Sequence, residues 1–213
     1  PQKVGTWVSD GDGTSTIGYT FTGTHDCALE LNETAVPGMI VESTGDIWVK
    51  NTDTTQNVFS YHTALPYTRL APTNGSKTVF GVLDIDMRKS LVEGEHGGEG
   101  KIPNPNWKGI AEGTFPGLVE NNPLKEGYSS AQVMSLGEGT VWVTNINGNI
   151  ENGDLIESSV VSGYGRLQDD DIMRSKTVAK CTQNIDWDSV IDTIDHDGQT
   201  YKKYLAACTF HCG

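Results

Sequence analysis

The chain has 213 residues, a formal net charge of −13 and 36% hydrophobic residues, which suits one domain with a sizeable core. Its acidity and the absence of any Lys/Arg cluster exclude the basic face that phosphate binding needs, so nucleic acid is not an expected partner. No apolar run approaches the ~20 residues of a membrane-spanning helix, no basic-then-apolar signal segment is present, and 25 glycines fit a loop-rich β protein better than a helical bundle.

In chain order, short segments with alternating or β-branched character predict strands at residues 4–8, 17–22, 39–42, 47–49 and 79–84. The opening Pro-Gln-Lys, with no Met, is expected of a fragment or processed product. Further strands are predicted at 132–135, 141–144, 155–157 and 178–182. Glycine turns separate them: Gly137-Glu138-Gly139, Asn147-Gly148 as a hairpin signal, Asn152-Gly153-Asp154 and Gly163-Tyr164-Gly165. The chain ends in a predicted long hairpin, with 190–194 running in, Asp197-Gly198 turning and 200–210 running back. A helix over 187–194 competes, but Asp-Gly and the Thr/Tyr-rich return favour the hairpin. No repeat period is visible. The expected fold is therefore mainly β, one domain over 1–213 of short-stranded meanders, sandwich or barrel-like.

Residues 89–128 stand apart as a long Gly/Pro-rich loop insertion, in which Pro103, Pro105, Pro116 and Pro123 preclude a central strand or long helix. Trp107, Phe115 and Tyr128 offer flat apolar faces there, suited to stacking on sugar rings or to anchoring the loop. Glu93, Glu95, His96 and Glu99 lie among glycines and read first as a solvated loop. The cysteines, Cys27, Cys181, Cys208 and Cys212, allow a disulfide, half of a zinc site around Cys208, His211 and Cys212, or buried thiols, and spacing does not choose among these. No metal site or cofactor is assigned.

The chain carries no nucleophile elbow, zincin helix, phosphate-binding glycine loop or dinucleotide fingerprint. What remains is His25-Asp26 at a Thr-Gly-Thr turn after a strand, plus Glu138 and Asp154 at glycine turns. Neighbours on a strand point to opposite faces, so His25 is expected to work with a carboxylate from elsewhere, Glu138 or Asp154. A carboxylate pair suits glycoside hydrolysis. A lyase would instead use His25 or Tyr164 as base, with Arg166 neutralising a uronate. Each residue also has an ordinary structural role: Asp154 accepting from turn amides, Glu138 as a loop acid, His25 bonded in the core.

The run from Val133 to Cys181, with TFTGTHDC (20–27), GMIVEST (38–44) and CTFHCG (208–213), resembles the C-terminal domain of large-DNA-virus virion proteins, most closely the chlorovirus one. More distantly it is similar to the autoproteolytic intramolecular-chaperone domains that end phage neck-appendage and tail-fibre proteins. The likeness spreads over most of the chain, and 88–128 fit least. It implies a virion-associated domain that degrades host algal cell-wall polysaccharide during entry, acting extracellularly and reaching a homotrimer through its parent protein. The candidate catalytic set is then His25, Asp26, Glu138 and Asp154, with Trp107, Tyr164 and Arg166 binding substrate. The phage relatives imply an alternative, a fibre-terminal chaperone that releases itself by self-cleavage upstream of Pro1; Asp10 and Asp12 are the acids on the near side of such a cut, in a stretch that reads first as a turn. A non-catalytic glycan-binding module is a third reading.

Overall fold

The computed structural model describes residues 6–9, 15–18, 23–32, 34–49, 52–53, 58–59, 64–86, 91–93, 101–103 and 124–212. Among them there is no helix, and so none long and apolar enough to cross a membrane. The strands are β1 (Thr6–Ser9), β2 (Ser15–Gly18), β3 (Thr24–Glu30), β4 (Ile40–Val49), β5 (Thr52–Asp53), β6 (Val58–Phe59), β7 (Ala64–Leu70), β8 (Val79–Asp86), β9 (Leu91–Glu93) and β10 (Lys101–Pro103). They continue with β11 (Tyr128–Met134), β12 (Leu136–Thr144), β13 (Leu155–Ser158), β14 (Gly165–Leu167), β15 (Thr177–Cys181), β16 (Thr193–His196) and β17 (Gln199–His211). The fold is mainly β, as expected, and it is barrel-like: β11-β3-β7-β4-β8 close into a barrel. The other large sheet runs β12-β14-β13-β15-β17-β16, and β12 pairs back onto β17, so it too curls round on itself.

The two closed units follow one plan. Take β3, β4, β7, β8, β11 as the first set and β12, β13, β14, β15, β17 as the second. In each, the first strand runs parallel to the third and antiparallel to the fifth. The second strand lies between the third and fourth, and the fourth lies beside the fifth. The registers agree as well. Glu42 faces Arg69 as Glu157 faces Arg166, Val41 faces Leu70 as Ile156 faces Leu167, and Leu29 pairs with Thr68 as Val143 pairs with Gly165. Both second strands carry a register shift immediately before the glutamate. The sequence echoes this once the strands are superposed: Tyr67-x-Arg69-Leu70 matches Tyr164-x-Arg166-Leu167, and Ser-Lys-Thr-Val leads into both fourth strands. The chain therefore contains a structural duplication. Unequal connections spread the two copies out of step, which is why no fixed period shows in the sequence.

Each copy fills its barrel from equivalent positions. The first holds Cys27, Leu29, Val41, Leu70, Leu83, Ala131 and Val133, and the second holds Val141, Val143, Ile156, Cys181, Ala206 and Cys208, with Leu167 packed against them. The copies also share a core across their seam, because Ile40, Ala71 and Val82 pack into the second cluster while Val161 and Tyr164 pack into the first. Two glycines make that approach possible. Gly38 (φ 91°) lies so close that a Cβ there would sit 2.9 Å from Leu205 Cδ1, and one on Gly163 (φ 81°) would meet Met39 at 3.1 Å.

Several sequence-based boundaries shift. Residues 39–42 and 47–49 are one strand, β4, bent by its register shift. β7 goes unanticipated because Pro66 interrupts its pattern, yet Pro66 pairs at the irregular stretch of β4, where a missing N–H costs little. Asn147-Gly148 does turn the chain, with Gly148 at φ 108°, but it joins β12 to β13, which do not pair, so the expected hairpin is absent. The terminal hairpin is present as β16 and β17. Within 89–128, β9 and β10 form a two-stranded ribbon, and β11 begins at Tyr128. Trp107, Phe115, Glu95, His96, Glu99, Asp10 and Asp12 lie outside the described residues.

The paired glutamates carry the clearest stability difference. Glu157 is fully buried, with Oε1 2.9 Å from Arg166 Nε and Oε2 2.6 Å from Lys176 Nζ. Glu42 is 4% exposed, and it accepts from Arg69 Nε at 2.9 Å and Ser76 Oγ at 2.6 Å. Arg166→Met strands part of a buried charge and is expected to cost about 3 kcal/mol in urea denaturation. Arg69→Met, at a half-exposed guanidinium whose partner keeps Ser76, is expected to cost only about 1 kcal/mol.

Candidate functional site

β3 delivers His25 and Asp26 to the first barrel, near the start of the strand rather than at the end of the one before. His25 is opposite Val133 and exposed, and its ring centroid lies 6.0 Å from that of Phe80. Asp26, on the alternate face, accepts from Gln132 Nε2 at 2.8 Å. Gly137-Glu138-Gly139 is not the expected turn but runs within β12 of the second barrel, paired along β17, so Glu138 is exposed on the strand opposite Thr209. Thr209 Oγ1 is 3.3 Å from His211 Nε2. Opposed strand partners share a face, so Glu138, Thr209 and His211 line one strip of surface. The His211 contribution escapes sequence reading, because only the β12–β17 register sets it near Glu138.

Asp154 performs the turn role. Its Oδ2 accepts from Glu151 N at 2.8 Å and its N–H donates to Glu151 O, which closes the loop before β13. Tyr164 is 5% exposed, with its ring 6.2 Å from Trp142, and burial pushes its hydroxyl up from its ordinary pKa. Arg166 holds Glu157 and Asp169, so its guanidinium is committed within the protein. Tyr164 and Arg166 are the second-copy counterparts of Tyr67 and Arg69, and the duplicated fold alone accounts for both. Among the described residues no hydrogen bond or ion pair joins any two of His25, Asp26, Glu138 and Asp154. Nor is there a group of three or more His, Cys, Asp or Glu side chains able to hold a metal ion.

What the structure does form is a groove of about 380 Å³ on the second barrel, where residues 189–192 lie along β17. Trp142, Tyr204, Lys203, Asp192 and Ser189 line it, with Ile191 89% exposed at its rim. Lys203 N donates to Asp192 O at 2.9 Å and fixes that segment against the strand. Trp142 Nε1 donates to Pro37 O at 3.1 Å, anchoring the indole, and Lys203 Nζ lies 5.8 Å from the ring centroid. An aromatic face with a cation, a carboxylate and a hydroxyl beside it can stack on a sugar and bond its hydroxyls. The sequence places Trp142 on a strand, but only the fold of 189–192 shows that it borders a groove; Tyr204, opposite Val143 in the register, turns to the other face of β17 and packs toward Trp187. No protein-family model, curated protein or solved structure matches the chain.

All four cysteines are free and buried. Burial pushes the Cys27, Cys208 and Cys212 thiols up to about 12 and raises Cys181 as well. In the reduced native protein at pH 8 none is expected to react with an aromatic disulfide reagent within minutes, whereas four react in denaturant. A raised thiol favours the folded state fully below its ordinary value near 9, and that contribution is lost as pH rises towards about 12. Urea midpoints of the reduced protein should therefore fall between pH 9 and 12, with a smaller fall in Cys208→Ala.

Proposed function

We propose that the chain is a virion-associated domain that engages host cell-wall polysaccharide through the groove beside β17. The observation that carries this reading is the Trp142 ring with Lys203 beside it and Asp192 and Ser189 along the same open groove. The resemblance to chlorovirus virion domains supplies the substrate class, the virion setting and the action outside the cell, and the more distant likeness to phage fibre domains supplies assembly through a trimeric parent. Retention on isolated algal walls tests it. Asp192→Ala combined with Lys203→Ala is expected to weaken binding at least tenfold, about 1.4 kcal/mol, with folding intact. Retention unchanged in the double variant would remove the groove from the reading.

A second reading, degradation of the same polysaccharide, is favoured by one feature: the exposed Glu138 carboxylate beside Thr209 and His211. A carboxylate and an imidazole on one face can share acid and base roles at a glycosidic bond. Glu138→Gln is expected to abolish release of soluble sugars from walls, measured by mass spectrometry, while leaving retention unchanged. Retention with no sugar released by the unaltered protein would leave binding alone.

A further inference from the structure

Cys181 on β15 and Cys208 on β17 are direct partners in the antiparallel register. Cys181 N donates to Asp154 O on the β13 side, while Thr182 N donates to Ala207 O. The Cys181–Cys208 pair therefore occupies a site without its own hydrogen bonds, where opposed Cα atoms approach to about 4.5 Å. Disulfides span Cα separations of about 4.4–6.8 Å. Both side chains face the interior of the second barrel, in the place that Leu83 and Val133 take in the first. The other pairings fail on geometry. Cys212 follows the end of β17, four residues beyond Cys208 and about 13 Å away by strand rise, and its thiol donates to Val178 O; the Cys181 thiol donates to Gln183 O, a bond that the disulfide would replace. Cys27 is enclosed in the first barrel, in a different cluster.

We propose that Cys181 and Cys208 form a cross-strand disulfide when the chain folds under oxidising conditions, leaving Cys27 and Cys212 as thiols. The two thiols lose two protons and two electrons to a low-molecular-weight disulfide such as oxidised glutathione, which leaves as two glutathione thiols. The exchange passes through a mixed disulfide. Burial of both sulfurs makes the exchange slow in the finished fold, so the bond forms during folding. Its closed loop spans residues 182–207, which contain β16 and the segments that wall the groove, so the bond staples the base of that excursion.

The test is to refold the whole chain from denaturant in a glutathione redox buffer, alkylate in denaturant and map the peptides. The expected result is one intramolecular link between Cys181 and Cys208, with Cys27 and Cys212 alkylated. Cys212→Ser should keep the link, and Cys208→Ser should abolish it. The oxidised protein should melt roughly 5–10 °C above the reduced one. Four alkylated cysteines after native refolding, or a link that uses Cys27 or Cys212, would overturn the proposal.

Discussion

Two buried carboxylates hold this molecule in its arrangement. Glu42 and Glu157 each follow a register shift in the second strand of their barrel, and each is neutralised by an arginine directly opposite. A bare carboxylate in such surroundings would be costly, so the arginine on the third strand is fixed by the glutamate on the second. The loop between β7 and β8 then ties one barrel to the other. Ser76 Oγ donates to Glu42 at 2.6 Å, Ser76 N donates to Ser158 Oγ at 2.8 Å, and Ser158 Oγ donates to Thr73 O at 2.7 Å. Gly75, from the same loop, packs beside the Glu157 carboxylate. One short loop thus reaches the charge centres of both copies, and the shared apolar seam closes behind it.

That arrangement changes what residue type says about function. Tyr164 and Arg166 look like a base and an electrostatic clamp when met in sequence among glycines and acids. Their counterparts Tyr67 and Arg69 occupy the same stations in the first barrel, one buried and one paired with a glutamate. A repeated pair with a repeated partner serves the fold. Residues without a counterpart of the same type carry more functional information. Glu138 and the groove residues are of that kind, since among the described residues these features occur in the second copy alone.

Much of the strand content was legible because period-two patterns and glycine turns are local signals. β8, β13, β15 and the terminal hairpin lie close to their expected positions. β7 was hidden by Pro66, and β14 was too short to show a pattern. The pairing order could not be read at all, since two parallel contacts and two ring closures join strands far apart in the chain. For the same reason Asp154 was readable as a turn residue from Asn152-Gly153, whereas the neighbourhood of Glu138 and His211 depended on a register between distant strands.

The duplication also shows where this architecture admits change. In each copy the longest connection in sequence joins the fourth and fifth strands: residues 87–127 in the first and 182–198 in the second. The first is more than twice as long, yet loop-closure entropy grows only logarithmically, so the added length costs less than about 1 kcal/mol. Ten strands keep a common blueprint while that one junction accepts new sequence. The junction is the natural graft point of the scaffold, where a foreign segment can be inserted without disturbing ring closure.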